Sequence, residues 1–283
     1  MKIATKLSII GACLLIMVFF PACGDKAPSG PVTDPNEVYV PANRSIHLEI
    51  NQPKDSDSTD DYLIIRRQYV LSYNKNLNVA NWVSWELNKS WFGPEPRYVG
   101  DFFTDTTLPA GFYRVQHDDY NFPVDGYERG HIVRSEERTI DAADNKSTFI
   151  LSNIMPQQTD LNQGAWAKME DWCESMCKDS TKELFIVAGG IFKSGFRVSG
   201  IIAAPDSCYK IVVILEPGQK LTNVDKNTRI EAVIMPNIKG IRKDNWQKYK
   251  RTIDEIEAAT GYDYLNYVRK DIQAVIESKT SIF

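Results

Sequence analysis

The stretch Tyr127-Glu128-Arg129-Gly130-His131-Ile132-Val133-Arg134-Ser135 decides how the rest of the chain is read. It brings a carboxylate, an arginine and a histidine together, with a glycine beside the histidine. Further on, Ser152-Asn153-Ile-Met-Pro156-Gln157 leads into Leu161-Asn162-Gln-Gly-Ala-Trp166-Ala-Lys-Met-Glu170. Together these segments point to one hydrolytic metal site. Hydrolysis of a phosphodiester needs a base for water, positive charge for the phosphoryl oxygens and help for the leaving oxygen. A neutral imidazole at His131 suits the base, since an unperturbed histidine titrates at about 6.5. Arg97 and Arg129 offer fixed positive charge. Asn162 offers an amide oxygen to a hard cation, and a Mg2+ held by one or two protein groups keeps several waters.

Leu161, Ala165, Trp166, Met169, Cys173 and Cys177 recur at helical spacing, which predicts a helix from Asp160 to about Lys178. On a regular helix Asn162 and Glu170 stand about 80° apart and roughly 12 Å along the axis. Side chains lean toward the helix N-terminus, so Glu170 reaches back and is suited to holding a metal-bound water. Taken singly, each residue has a plainer reading. A lone histidine is usually structural, an Arg beside a Glu is usually a solvated pair, and Asn, Gly and Trp at a helix start usually mean a cap and a core aromatic.

As an ordered series the segments resemble the DNA/RNA non-specific endonucleases of the ββα-metal (His-Me finger) class. The family's Asp-Arg-Gly-His stands here as Glu128-Arg129-Gly130-His131. Its Thr-Asn-x-x-Pro-Gln is Ser152 to Gln157, and its Leu-Asn-x-Gly-x-Trp is Leu161 to Trp166, with Glu170 four beyond. The likeness runs from about Tyr69 to Tyr267, through Val187-Ala-Gly-Gly190, Ile234-Met-Pro-Asn237 and Glu255 to Tyr262.

The resemblance implies an α+β fold, with a ββα-metal finger on a mainly antiparallel sheet flanked by helices. It implies cleavage of DNA and RNA with little sequence preference. His131 would be the general base, Asn162 the direct Mg2+ ligand (Mn2+ substituting) and Glu170 a ligand through water. Arg97 would stabilise the transition state, Arg129 would position the site or phosphate, and Arg97, Arg129 and Arg134 are the expected substrate contacts. Asn153 would shape the loop. Three residues depart from the pattern: Glu128 replaces Asp, Arg134 replaces a common proline, and Glu174 stands where several members carry arginine. A carboxylate at 174 is expected to repel DNA and to raise the pKa of Glu170.

The first 22 residues read as an export signal. Lys2 and Lys6 precede an apolar run from Leu7 to Phe20, and Phe20-Pro21-Ala22-Cys23 closes it in the manner of a bacterial lipoprotein, lipidated at Cys23. Fourteen apolar residues span about 21 Å as a helix, short for a bilayer core of roughly 30 Å. The chain is thus expected to be exported and lipid-anchored to a bacterial membrane. Five prolines between 28 and 53 and the acidic run Asp55–Asp61 predict an extended tether over 23–61 and a folded domain over 62–283.

Without the signal, 31 basic residues face 37 acidic ones, a net −6. That balance gives no compositional support for nucleic-acid binding. With Glu174 it motivates a rival, a surface polyanion-binding protein with this fold and no turnover. Cys173, Cys177 and Cys208 offer one disulfide in an oxidising compartment, and the three histidines lack zinc spacing to them.

Overall fold

In the computed structural model, which describes residues 34–280, ten strands follow in chain order. They are β1 (Tyr62–Ile65), β2 (Val70–Asn74), β3 (Val79–Leu87), β4 (Tyr127–His131), β5 (Ile154–Gln158), β6 (Glu183–Ile191), β7 (Arg197–Val198), β8 (Ile202–Ala203), β9 (Ser207–Leu215) and β10 (Arg229–Pro236). The helices are α1 (Phe122–Asp125), α2 (Ala142–Ser147), α3 (Ala167–Lys178), α4 (Ile253–Thr260) and α5 (Lys270–Ile276). Six strands form one sheet, ordered β1-β2-β3-β6-β9-β10, with every neighbour antiparallel. β4 and β5 pair separately. This is the expected α+β architecture.

The sheet's central strands are apolar almost throughout because both faces are covered. Along β6, Leu184, Ile186 and Ala188 enter a core shared with Trp166, Met169 and Cys173 of the α3 segment. Phe185 and Val187 point the other way, into a core with Ile253 and Ile256 of α4 and Ile276 of α5. The sheet therefore separates a finger face from an α4/α5 face. On the latter, Thr252 and Glu255 form the expected capping box at 3.1 and 2.8 Å. Gly261 ends α4 at φ 83°, a left-handed conformation that favours glycine.

Two expectations are corrected. Within the supposed tether, Ser45–Ile50 forms a 3-10 turn over Ile46–Leu48. Its residues are core: Leu48 and Ile50 are 3% and 1% exposed, and His47 accepts from the Glu86 amide at 3.0 Å. The acidic run is also bound in, Asp61 accepting from Tyr262 Oη at 2.9 Å and Asp60 from Asn74 at 2.7 Å. The folded unit thus begins by Asp34, and the described part of the supposed tether, 34–61, belongs to it. The proline spacing suggested extension, but the apolar Ile46–Ile50 segment had a sheet face to cover. Cys173, Cys177 and Cys208 are free and buried. Cys208 faces Gln157 and Met155, whereas Cys177 faces the Leu87 carbonyl, so no bridge forms. The signal segment and Cys23 lie outside the described residues.

Candidate active site

β4, β5 and α3 build the finger. Glu128 pairs with Gln157, Arg129 with Pro156 and His131 with Ile154. Alternation puts Arg129 and His131 on one face of β4 and Glu128 and Gly130 on the other. Gly130 makes room for the Gln157 side chain, since a Cβ there would lie 2.0 Å from the Gln157 amide oxygen. Asn153 accepts from the Val133 amide at 3.0 Å and donates to the Val133 carbonyl at 2.9 Å. It fixes the chain just beyond His131, as expected for a loop-shaping residue.

His131 is 9% exposed, its ring packed 5.1 Å from Phe102 and 4.8 Å from Phe149. Burial first, then Arg97, lowers its pKa to about 3. The ring is therefore neutral at physiological pH, and Nε2 has no hydrogen-bond partner among the described residues. Arg97 stacks on the same Phe149 at 4.9 Å and pairs with Glu136 at 2.9 Å and with the Ser135 hydroxyl, its side chain half exposed. Arg129 is anchored to the backbone through its Nη2. It donates to the carbonyls of His117 at 2.6 Å and Tyr120 at 3.0 Å, pinning that loop.

The helix after β5 is not regular. Leu161–Trp166 is a wide, π-type turn, and Gly164 within it has non-helical angles, φ −119° and ψ −113°. A Cβ at Gly164 would come within 2.7 Å of Arg242 Cα, so the segment opens to admit that loop. The axial spacing expected for Asn162 and Glu170 on one regular helix accordingly does not apply. What orients Asn162 is Glu128. Its carboxylate accepts from Asn162 Nδ2 at 2.7 Å, Gln163 Nε2 at 2.7 Å and Thr159 Oγ1 at 3.0 Å. With the amide nitrogen engaged, the Asn162 carbonyl oxygen points away from Glu128. The longer side chain at 128 thus does not disrupt the segment; it ties it together.

Glu170 is 7% exposed and faces cations. Lys210 Nζ lies 3.5 Å from its Oε1, too far for a hydrogen bond, and both atoms lack one among the described residues. Burial raises the Glu170 pKa, with Lys210 and Arg134 opposing and Glu136 adding to the rise. Glu174 is not among these causes. It pairs with Lys178 at 2.6 Å and Arg134 at 3.8 Å. Arg134, expected to contact substrate, has a side chain only 17% exposed and binds Asp171 at 2.8 Å and Glu136 at 3.3 Å. Its charge is met by carboxylates, and its place is inside the site's wall.

Asn162 with an amide oxygen free of Glu128, and Glu170 with a carboxylate oxygen whose described neighbour is the Lys210 ammonium at 3.5 Å, are oxygen donors of the kind a hard divalent cation prefers. The model of the DNA/RNA non-specific endonucleases matches residues 47–271. The chain belongs to that family. It is a nuclease, a hydrolase. A nuclease of Nostoc sp. is 43% identical over 240 residues, 83% of this chain and 86% of that one. The nuclease of Serratia marcescens is 27% identical over 230 residues, 77% and 80%. Human mitochondrial endonuclease G is 26% identical over 209 residues, 69% and 67%. A crystal structure of the EndoG/EndoGI complex matches in fold, with TM-score 0.67 and 21% identity over 83% of this chain and 96% of that one.

Two features of the nuclease's site escaped sequence reasoning. Lys210 is fully buried, its ammonium 4.2 Å from the Trp166 ring centroid. Its signal was a lone lysine inside the apolar run Tyr209–Leu215, since lysine is almost never fully buried without a partner. The second is a basic loop, with Lys239, Arg242 and Lys243 exposed. Arg242 bonds Gln163 at 2.7 Å and Gly240 bonds Asp160 at 2.7 Å, which ties the loop to the start of the finger helix.

Proposed function

We propose that the protein cuts DNA and RNA with little sequence preference, using Mg2+ or Mn2+ and His131 as general base. The observation that carries this reading is a buried imidazole held neutral, its Nε2 unpartnered, on the same finger as a directed Asn162 oxygen. His131 takes a proton from the water that attacks phosphorus, and the ester oxygen departs. Arg97, half exposed beside His131, meets the phosphoryl oxygens. Arg129 and Arg134 act behind the site, the first by fixing the 117–120 loop and the second by balancing Glu170 and its acidic neighbours. Asn162 would hold the ion directly and Glu170 through a water. The bound ion supplies charge that stabilises the transition state and eases loss of the leaving oxygen. The basic loop at 239–243 supplies phosphate contacts, which carry no sequence information, and offsets the acidic body locally.

Plasmid and RNA digestion with Mg2+, with EDTA and with His131→Ala tests this. The expected loss in the variant is about 10²- to 10⁴-fold. Undiminished cutting by His131→Ala or in EDTA contradicts the mechanism, and binding without cutting under any divalent ion supports the non-hydrolytic rival. We further propose that Cys23 carries lipid and holds the protein on a bacterial membrane, which rests on the signal-like first 22 residues. Cys23→Ala should move the protein from the membrane to the soluble fraction.

A further inference from the structure

On the α4/α5 face, remote from the finger, one carboxylate oxygen from each of Asp254, Glu257 and Glu277 lies within 4.8 Å of the other two. Two facts separate this group from an ordinary acidic surface. Glu277 is only 7% exposed, and its Oε1 has no hydrogen-bond partner among the described residues. Its backbone is tightly placed, because its carbonyl accepts from the amides of Ile253 at 2.9 Å and Asp254 at 3.3 Å, joining the end of α5 to the start of α4. Glu257 is held by the Tyr264 amide, which donates to its Oε1 at 2.8 Å. The Glu257 carboxylate is thus held by a backbone amide, Glu277 is anchored through its main chain, and the third residue, Asp254, is exposed and gives solvent a way in.

We propose that Asp254, Glu257 and Glu277 form a second divalent-cation site, of calcium type, that fastens α5 to α4. The donors are all oxygens, which excludes the nitrogen and sulfur preference of zinc. Three carboxylates, with waters completing a loose shell on the exposed side, suit the six to eight oxygens and flexible geometry of Ca2+ better than the strict octahedron of Mg2+. Without an ion the cluster is poorly compensated. Burial first, then the charges of Glu257, Asp263 and Asp254, push the Glu277 pKa up to about 8.

The test uses the full chain carrying Asn162→Ala, which weakens the ion position at the finger and leaves this face untouched. Calorimetric titration with Ca2+ should show one ion bound, with a Tm rise of about 5 °C at a hundredfold excess over Kd. Adding Glu277→Gln, which keeps the shape, should abolish both signals without lowering the Tm in calcium-free buffer. Asp254→Asn, at an exposed position that no packing depends on, should weaken binding about tenfold, as for the loss of one ligand charge. Absence of Ca2+ binding to the Asn162→Ala chain overturns the site. So does binding unchanged by both Glu277→Gln and Asp254→Asn. Nuclease activity is not the readout, so failure here leaves the reading of the finger standing.

Discussion

Glu170 and Glu277 are each 7% exposed, and each sits against the same sheet, on opposite faces. Their company differs. Glu170 has Lys210 and Arg134, both lowering its pKa against burial. Among the described residues, the charges that act on Glu277 are those of carboxylates. A buried carboxylate must be neutralised by a cation or by a proton. On the finger face the chain supplies the cation from its own strand, whereas on the other face it leaves the task to a proton or a solute. That contrast separates a carboxylate whose opposing charge comes from the chain from one whose opposing charge must come from its surroundings.

The strongest way to break the contrast is Lys210→Met, which keeps the stem under Trp166 and removes the charge. It removes the nearer of the two cations that face Glu170 and leaves Arg134 alone to oppose burial. Removing one partner of a buried pair costs about 3–5 kcal/mol. The expected result in denaturant unfolding is a loss of that order, with ion binding at the finger weakened as Glu170 takes up a proton. A stable variant with unchanged ion affinity would show that Lys210 plays no part in holding Glu170.

Next in size is the response to pH, which has opposite signs for the buried histidines and for Glu277. His131 and His47 are lowered to about 3 and about 4, in both cases chiefly by burial. Their folded values lie below the ordinary 6.5, so the unfolded chain binds more protons in between. Their stabilisation is complete above about pH 6.5 and is lost as the pH falls through 4 and then 3. Glu277 is raised to about 8. Its stabilisation is present below the ordinary glutamate value and is lost as the pH rises through 8. Unfolding free energies between pH 4 and 9 should therefore fall at both ends, by at most about 1.4 kcal/mol per pH unit for each group. Saturating Ca2+ or Glu277→Gln should make the alkaline limb shallower and leave the acid limb unchanged, with Glu86 and Glu137, each pushed up to about 7 chiefly by burial, carrying the rest of it. An alkaline limb insensitive to both would place its cause elsewhere.

The smallest effect is expected at Glu174. Its charge is already met by Lys178 and Arg134. Glu174→Gln should change stability by no more than about 0.5 kcal/mol and leave cutting close to wild type, measured on plasmid. A large gain in activity would restore the repulsion that the bare sequence suggested.

The family, the sheet strands and the finger were legible in the sequence because they rest on local patterns. Apolar runs mark β6, β9 and β10, the capping box marks α4, and motif order identifies His131, Asn162 and Glu170. What the sequence could not reveal is which charges meet. Arg129 and Arg134 have the residue type of substrate contacts, but backbone carbonyls and acidic neighbours claim them. Glu128 stands as a departure from the family motif and proves to be the anchor of Asn162. Gly164 breaks a pattern that reads as one helix, because the 239–243 loop must pass against it.

By itself, then, the sequence determined the fold class, the family and the chemical types at the finger, since periodicity and spacing act over a few neighbouring residues. Only the tertiary structure decided that residues 34–61 are folded, that the cysteines stay apart, that Lys210 stands behind Glu170 and that Glu277 meets Asp254 and Glu257. Each of these depends on segments far apart in the chain meeting across the sheet. The energy of a buried charge is set by those neighbours in space and not by its neighbours in sequence.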